Sequence, residues 1–238
     1  MALASRLENG ASASVGTSVR GTDIEVRRFG KGPLRALIIG GVHGDESEGF
    51  LFAERLRDSL AKGDVSIRDG VSLFLCARLN PDGCEALRRT NQNNVDLNRN
   101  LPTRDWTNDF RNVKYYPGRE PGSEPESMAT LALISEIDPA VIISLHSYEN
   151  PMINYNGDCL DLALKMSAKN GLEPKGDIGY PTPGSLGTYA GWERNLPTLT
   201  LEILRGQDPE TVWKTHLEGV LEAVHHYTGH PAPRRKNV

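Results

Sequence analysis

Short runs of apolar residues alternate with longer amphipathic stretches along most of this chain. The apolar runs are rich in leucine and β-branched residues, and they predict buried strands at 35–42, 71–80, 140–146 and 196–204. The amphipathic stretches predict helices at 46–63, 123–138, 159–171 and 208–229. Such alternation is typical of an α/β fold. We therefore expect a single domain with a mixed, mostly parallel twisted sheet and helices on both faces.

Residues at the predicted helix ends support this assignment. Ser123 and Glu126 have the spacing of a capping box at the start of the second helix. Gly63 and Gly171 follow the first and third helices, where a glycine commonly ends a helix.

The length bounds the number of domains. With 238 residues, of which 38% are hydrophobic, the chain has enough apolar surface for one large core. We expect a loose N-terminal segment at 1–22, a main domain at 23–230 and a polar tail at 231–238. Two stretches without periodicity, 81–122 and 172–184, are expected to be functional loops, because long irregular segments in compact domains usually are.

Charge and cysteine content exclude several functions. The net charge of −4 argues against a nucleic-acid partner bound through a basic face. No apolar run approaches the ~18 residues of a membrane span, and the N-terminus lacks the basic-then-apolar pattern of a signal peptide. The three cysteines form no CxxC motif, and Cys76 lies in a predicted core strand. We expect a cytoplasmic protein, as a monomer or homodimer, with no membrane partner.

Metal-ligating residues lie just after two predicted strands. His43 follows the first strand, and Glu46 comes three residues later as a helix starts. His146 ends the third strand, and the remaining histidines lie in the last helix or the tail. In α/β sheets such strand ends meet at one edge. Two imidazoles and one carboxylate leave a fourth position open, which is the pattern of a single catalytic Zn²⁺. Alternatively, His43 is a polar turn residue; Glu48 is a competing ligand, but its spacing carries it around the helix.

The stretch 88–102 combines arginines and asparagines in an unusual density. Arg88, Arg89 and Arg99 carry planar donor groups that match carboxylates, and asparagine adds neutral donors and acceptors. This composition predicts a preorganised anion clamp. The alternative is a polar loop in which the arginines are incidental.

Glu202 interrupts an apolar strand, in the run TLTLEIL. A carboxylate among such residues is costly to bury unless it is paired or functional. Close to a metal-activated water it would be a general base. The alternative is that strand alternation turns Glu202 to solvent. The neighbouring loop 179–189, GYPTPGSLGTY, predicts only a rigid turn that carries a tyrosine.

Together these motifs resemble the zinc carboxypeptidase (M14, carboxypeptidase A-like) family. The resemblance extends from Gly40 to Ile203. It rests on HGDE (43–46), NPDG (80–83), RTNQNNVDLNRN (89–100), SEPES (123–127), SLHSY (144–148) and TLEI (200–203).

The resemblance implies a role for the metal-ligating residues and their neighbours. His43, Glu46 and His146 would hold zinc. Glu202 would take a proton from water and pass it to the leaving amine. Asp96 would orient one of the zinc histidines, His43, from outside the metal site.

It also implies how substrate is held. Arg89 would stabilise the oxyanion, while Asn98 and Arg99 would bind the free carboxylate of the terminal residue. Tyr180 would close over the substrate. The peptide bond between Ser147 and Tyr148 is often cis in this family.

A small peptide is the expected substrate. The motif YPTPGSLGTYAG (180–191) is most similar to bacterial family members that cut the γ-D-glutamyl–meso-diaminopimelate bond of murein peptides. Asp45, Glu149 and Asp158 are candidates to meet the charged far end of diaminopimelate. One alternative is an N-acyl amino acid deacylase of the aspartoacylase or succinylglutamate desuccinylase type. Another is an inactive module that only binds peptidoglycan peptides.

Overall fold

One eight-stranded sheet forms the centre of the molecule. The computed structural model describes residues 3–229 and 231–236. The strands are β1 (Ser12–Thr17), β2 (Asp23–Gly30), β3 (Leu34–Ile39), β4 (Val71–Cys76), β5 (Val141–Tyr148), β6 (Met152–Asn156), β7 (Pro174–Lys175) and β8 (Thr198–Leu204). The helices are α1 (Leu3–Arg6), α2 (Ser47–Lys62), α3 (Pro81–Ala86), α4 (Pro125–Ile137), α5 (Leu160–Asn170) and α6 (Pro209–His225).

The strand order is β1-β2-β4-β3-β5-β8-β6-β7. The four central strands β4, β3, β5 and β8 are parallel, whereas β2 pairs with β4 and β6 with β8 in the antiparallel direction. Helices α2, α5 and α6 cover one face, and α1 and α4 cover the other. The predicted mixed, mostly parallel sheet with helices on both faces is therefore confirmed.

Strand alternation divides the core into two parts. In β5, Ile143 and Leu145 face α2, α5 and α6, while Ile142 faces the layer that contains α4. Ser144 and His146 follow Ile142 on that second face because successive side chains point to opposite sides of a strand. The carboxyl end of this second face carries the polar residues of the site described below.

The predicted helices all form, and two of their ends follow the expected chemistry. Gly63 and Gly171 adopt left-handed conformations, with φ of 83° and 73°, at the C-termini of α2 and α5. The predicted capping box is wrong. Helix α4 has Glu124 at its N-cap, and the Glu126 carboxylate instead accepts hydrogen bonds from Val19 N and Asn91 Nδ2. Tertiary contacts draw this side chain away from the local cap.

The N-terminal segment differs from the expectation that it is loose. Strand β1 lies within it and pairs with β2, and Leu3 and Leu7 are buried. Positions 1 and 2 lie outside the described residues. In the predicted tail, Arg235 forms an ion pair with Asp138 at the C-terminus of α4, and 231–236 contain no helix or strand. The boundaries of the main domain stay a prediction.

The two predicted irregular stretches contain short elements. Helix α3 begins a short turn after β4, with the Asn80 side chain accepting a hydrogen bond from Gly83 N as its N-cap. Strand β7 lies in the second stretch. Within the described part of the chain, no helix is both long and apolar enough to cross a membrane.

Candidate active site

Three buried side chains meet beyond the carboxyl ends of β3 and β5. His43 lies in the turn after β3, Glu46 is the N-cap residue of α2, and His146 belongs to β5. The turn packs very closely on α3, since a Cβ at Gly44 would lie 2.0 Å from the carbonyl carbon of Gly83. Only glycine therefore allows the turn to bring His43 to this position.

The three side chains converge on one point. His43 Nδ1 lies 2.9 Å from Glu46 Oε1, His146 Nδ1 lies 2.8 Å from Glu46 Oε2, and the two Nδ1 atoms are 3.2 Å apart. Their candidate ligand atoms all lie within 4.8 Å of one another. Glu48 points elsewhere, because its Oε1 accepts a hydrogen bond from Gly206 N at 2.6 Å. The geometry thus favours Glu46 over Glu48 as the acidic member of the cluster.

The outer nitrogens of both imidazoles have partners of their own. His43 Nε2 lies 2.9 Å from Asp96 Oδ1, and His146 Nε2 lies 3.0 Å from Ser144 Oγ. A proton on Nε2 of His43 satisfies Asp96 and leaves the Nδ1 lone pair directed at the cluster. Neutral imidazoles that turn lone pairs towards a carboxylate are the donor set that Zn²⁺ prefers. The residues present therefore fit a zinc ion.

Asp96 links the cluster to Arg89. Its Oδ2 accepts from Arg89 Nε at 3.1 Å and from Nη2 at 2.8 Å, and Arg89 Nη1 also donates to Glu46 Oε1 at 3.3 Å. Burial opposes ionisation of Asp96, but the charges of Arg89 and His43 outweigh it and hold its pKa far below the usual range. Likewise, Asp96 and Glu46 overcome burial and raise the pKa of Arg89. Arg89 is thus a fixed cation beside the cluster.

The acidic and basic members of the cluster stabilise each other's charges. Burial favours the neutral form of Glu46, yet His43 and His146 lower its pKa well below the usual value. Burial and Arg89 lower the pKa of His43, but Glu46 and Asp96 more than compensate and raise it. This concentration of negative charge around the imidazoles is suited to a bound cation.

Glu202 stands directly beside His146. The two are register partners in the parallel pair of β5 and β8, so their side chains point to the same side of the sheet. Glu202 is only 6% exposed, and its carboxylate forms no hydrogen bond or ion pair with the residues that the structure describes. Burial is the main reason that its pKa is raised. Strand alternation does place Glu202 on the opposite face of β8 from Leu199 and Leu201. Loops cover that face, so the Glu202 side chain is not exposed to solvent.

Further residues complete one cavity of about 360 Å³. Asn98 and Arg99 follow Asp96 in a single 3-10 turn, and Asn98 N donates to Asp96 Oδ1 at 3.0 Å. Asn98 Oδ1 accepts from Leu186 N at 2.9 Å, so its amide nitrogen remains for a ligand. Tyr180 is 37% exposed and lines the same cavity. The structure thus brings all eight predicted site residues together; their roles stay predictions.

Comparison with known proteins identifies the family. A model of the zinc carboxypeptidase family matches residues 8–182. The chain belongs to this family. Murein peptide amidase A of Escherichia coli (strain K12) is 34% identical over 182 residues, 70% of each chain. The enzyme of the same name from Vibrio campbellii (strain ATCC BAA-1116) is 32% identical over 208 residues, 81% of this chain and 78% of that protein.

Solved structures agree. The murein-tripeptide amidase of Escherichia coli O157 has a TM-score of 0.71 and 25% identity, covering 93% of this chain and 94% of that one. Bovine thrombin-activatable fibrinolysis inhibitor, in complex with tick carboxypeptidase inhibitor, has a TM-score of 0.76 at 18% identity, covering 92% and 90%, and shows the fold alone. The resemblance inferred from the motifs is confirmed, and the chain is a hydrolytic enzyme of the zinc carboxypeptidase family.

One expectation carried over from the zinc carboxypeptidase family is wrong. Among the described residues no peptide bond is cis, and the bond between Ser147 and Tyr148 is trans. Both residues continue the parallel ladder, opposite Ile203 and Leu204 of β8. Ser147 N also donates to Glu46 Oε2 at 3.2 Å, which ties the strand to the cluster.

Sequence reasoning missed several residues that line the cavity of this family member. Arg205 follows β8 and contacts Asp45 Oδ2 and Glu46 Oε1, each at 3.3 Å. Lys114 and Tyr115 come from the long loop before α4, where no periodic pattern marks them. Only Arg205 had a local indication, because it lies three residues beyond Glu202 at a strand end.

Proposed function

We propose that this enzyme is a zinc-dependent amidase that cleaves a peptide bond next to a carboxylate-bearing terminal residue. The preferred substrate would be a murein peptide, cut between γ-D-glutamate and meso-diaminopimelate. The observation that carries the proposal is the unpaired carboxylate of Glu202 beside the His43–Glu46–His146 cluster, in the same cavity as Arg99. The similarity to murein peptide amidases supports the choice of substrate.

His43, Glu46 and His146 would hold the metal through Nδ1, a carboxylate oxygen and Nδ1. Zinc bound there would supply Lewis acidity and lower the pKa of water to about 7. Asp96 keeps His43 in the tautomer that presents Nδ1 to the cluster, since it accepts a hydrogen bond from Nε2.

Arg99 and Asn98 would orient the leaving residue by its free carboxylate. Arg99 Nη1 donates to Asn98 O at 2.6 Å, which fixes the guanidinium and leaves its other donors available. A planar donor group beside the Asn98 amide suits a carboxylate, because the group can bind both oxygens. This contact would place the scissile carbonyl between Glu202 and Arg89.

Arg89 and Glu202 would then act on the reacting atoms. Arg89 is held rigidly by Asp96, so it can stabilise negative charge on the carbonyl oxygen without reorganising. The Glu202 carboxylate would accept a proton from the attacking water and deliver it to the leaving amine. Its raised pKa makes it a stronger base than an exposed carboxylate.

Product analysis tests the proposal directly. The purified protein is incubated with a muropeptide mixture, with and without a chelator, and products are identified by mass spectrometry. We expect products in which the bond between γ-D-glutamate and diaminopimelate has been cleaved, and we expect them only in the absence of the chelator. Glu202→Gln should retain zinc but lose hydrolysis, whereas His146→Ala should lose zinc. Near-normal turnover by Glu202→Gln would reject the assignment of the base.

The same assay separates the alternatives. Cleavage of N-acetyl-aspartate or N-succinyl-glutamate, without cleavage of murein peptides, would favour a deacylase. Binding of murein peptides by the zinc-loaded protein without any product would favour an inactive binding module. Glu202 and Arg89 both argue for catalysis, since peptide binding alone requires neither a general base nor an oxyanion donor.

We also propose that the enzyme acts in the cytoplasm, on peptides recovered from the cell wall. All three cysteines are free and buried, as expected in a reducing compartment. Fractionation of cells that express the protein at its natural level would place it; recovery outside the cytoplasmic fraction would contradict this proposal.

A further inference from the structure

Most charges around the cavity are already paired. Arg89 is bound by Asp96, and Arg205 by Asp45 and Glu46. The opposite charges within each pair largely cancel, so these residues exert little net attraction on a charged substrate. Asp45 is unsuited to bind the far end of a substrate, because Arg205 contacts its Oδ2 and its Oδ1 is buried.

Two cations lack such a partner. Within the described residues, no carboxylate oxygen lies within 4.0 Å of the charged nitrogens of Arg99 or Lys114. The ring of Tyr115 lies near both, with its centroid 5.5 Å from Arg99 Cζ and 4.8 Å from Lys114 Nζ. Their separation therefore cannot exceed the sum of these two distances. Arg99 serves the terminal carboxylate in the proposed reaction, so Lys114 remains for a second anionic group of the same residue.

Besides Glu202, which the proposed reaction uses as its base, Glu149 is an acid of the cavity without a partner in the part of the chain that the structure describes. Glu149 follows the end of β5, is exposed, and lines the same cavity as Lys114. No lysine, arginine or histidine nitrogen among the described residues lies within 4.0 Å of its carboxylate. Asp158, the third candidate from the sequence, does not line this cavity; its backbone N instead donates to Asn195 Oδ1. Glu149 is therefore the acid available for an ammonium group.

We propose that Lys114 and Glu149 form a subsite for the far end of the leaving residue's side chain. The subsite would recognise a carboxylate and an ammonium group carried on one carbon, Lys114 binding the former and Glu149 the latter. This inference rests on the proposed function, because it assumes that Arg99 holds the terminal carboxylate. It names the substrate class as a terminal residue that carries a second α-amino acid group, as meso-diaminopimelate does.

The subsite should give selectivity more than binding strength. Both side chains are exposed and lose part of their hydration when a ligand binds, so each contact is worth less than a buried ion pair. A ligand that lacks one of the two groups loses one charge-assisted hydrogen bond and leaves its partner unsatisfied. A contact between exposed charges contributes about 0.2–1 kcal/mol, which corresponds to a preference of up to about 5-fold for each group.

Three matched peptides test the subsite. γ-D-Glutamyl-meso-diaminopimelate carries both groups, γ-D-glutamyl-L-lysine lacks only the far carboxylate, and γ-D-glutamyl-L-2-aminopimelate lacks only the far ammonium. For the zinc-loaded wild-type enzyme, kcat/KM should be highest for the first, by about 2- to 5-fold. Lys114→Met should lower kcat/KM by this factor for the diaminopimelate and aminopimelate peptides, and leave kcat/KM for the lysine peptide unchanged. Glu149→Gln should affect the diaminopimelate and lysine peptides and leave the aminopimelate peptide unchanged.

Lys165→Met, on the exposed side of α5, is the matched control and should change none of the three values. An equal loss with all three peptides in Lys114→Met, or no loss with any, would overturn the subsite. So would equal kcat/KM values for the three peptides with the wild-type enzyme. If the wild-type enzyme cleaves none of them, the proposed function itself fails and the subsite with it.

Discussion

Replacing Asp96 by asparagine removes one negative charge from the centre of the site. Asp96 is fully buried and accepts hydrogen bonds from His43 Nε2, from Arg89 and from Asn98 N. Asparagine has nearly the same volume, so the change creates no cavity. It turns an acceptor-only group into one that also donates, facing donors on Arg89 and His43.

Two effects of different size should follow. Arg89 loses its main counter-ion in a buried setting, which typically costs about 3–5 kcal/mol of folding free energy. We expect the lower end of this range, about 3 kcal/mol, since Glu46 still accepts one bond from Arg89. His43 becomes a weaker ligand without its carboxylate partner, and loss of such a partner typically lowers metal affinity about 10- to 100-fold.

Zinc competition with a chromophoric chelator measures the affinity, and urea unfolding of the zinc-free protein measures the stability. Asp82→Asn is a matched control. Asp82 is also buried and accepts from Ser18 Oγ, Arg20 N and Thr22 Oγ1, but it lies outside the cavity. It should lose stability and keep its zinc affinity. Wild-type zinc affinity in Asp96→Asn would refute the reasoning.

Three other predictions address the scaffold and the metal. The new Cβ in Gly44→Ala should clash with the backbone of Gly83 and lower the zinc affinity several-fold more than Gly63→Ala, in which the Cβ meets no atom within 4 Å. Equal zinc affinities in the two variants would contradict this. Burial lowers the pKa of His216 and His225 to about 4. The unfolded chain therefore binds more protons between that pH and about 6.5, so the free energy of unfolding should decrease as the pH is lowered through this window, by about 2 kcal/mol per histidine after screening. A urea midpoint that does not change with pH, or an unchanged pH dependence in His216→Gln, would contradict this. Removing zinc by chelation should lower the thermal midpoint, reversibly, because only the folded chain holds the ligands together; a midpoint that is insensitive to metal would show that the cluster does not bind it.

Periodicity predicted the central sheet and its helices because local pattern and tertiary burial agree there. The four predicted strands are the central β3, β4, β5 and β8, where burial on both sides leaves continuous apolar runs. The missed strands lie nearer the edges. Strand β1, SASVGT, has no large apolar residue besides valine, and its pairing with β2 is a long-range property of the fold.

The cluster of His43, Glu46 and His146 was predictable because the carboxyl ends of neighbouring parallel strands lie close together. The anion clamp at 88–102 was predicted from its arginines and asparagines, but the separate roles of Arg89, Asn98 and Arg99 within it were implied only by the family motif. Lys114 and Tyr115 were not predictable, because their place in the cavity depends on how a long loop folds over Arg89 and Arg99. The capping box failed for the same reason, since Asn91 and Val19 compete for the Glu126 carboxylate.

The central claim is that His43, Glu46 and His146 hold one catalytic zinc ion. Anomalous diffraction at the zinc edge, from crystals of the zinc-loaded protein, tests it most directly. We predict a single strong peak about 2.0–2.2 Å from Nδ1 of both histidines and from a Glu46 oxygen. A peak bound elsewhere, or no peak at this cluster in metal-replete active protein, would contradict the account.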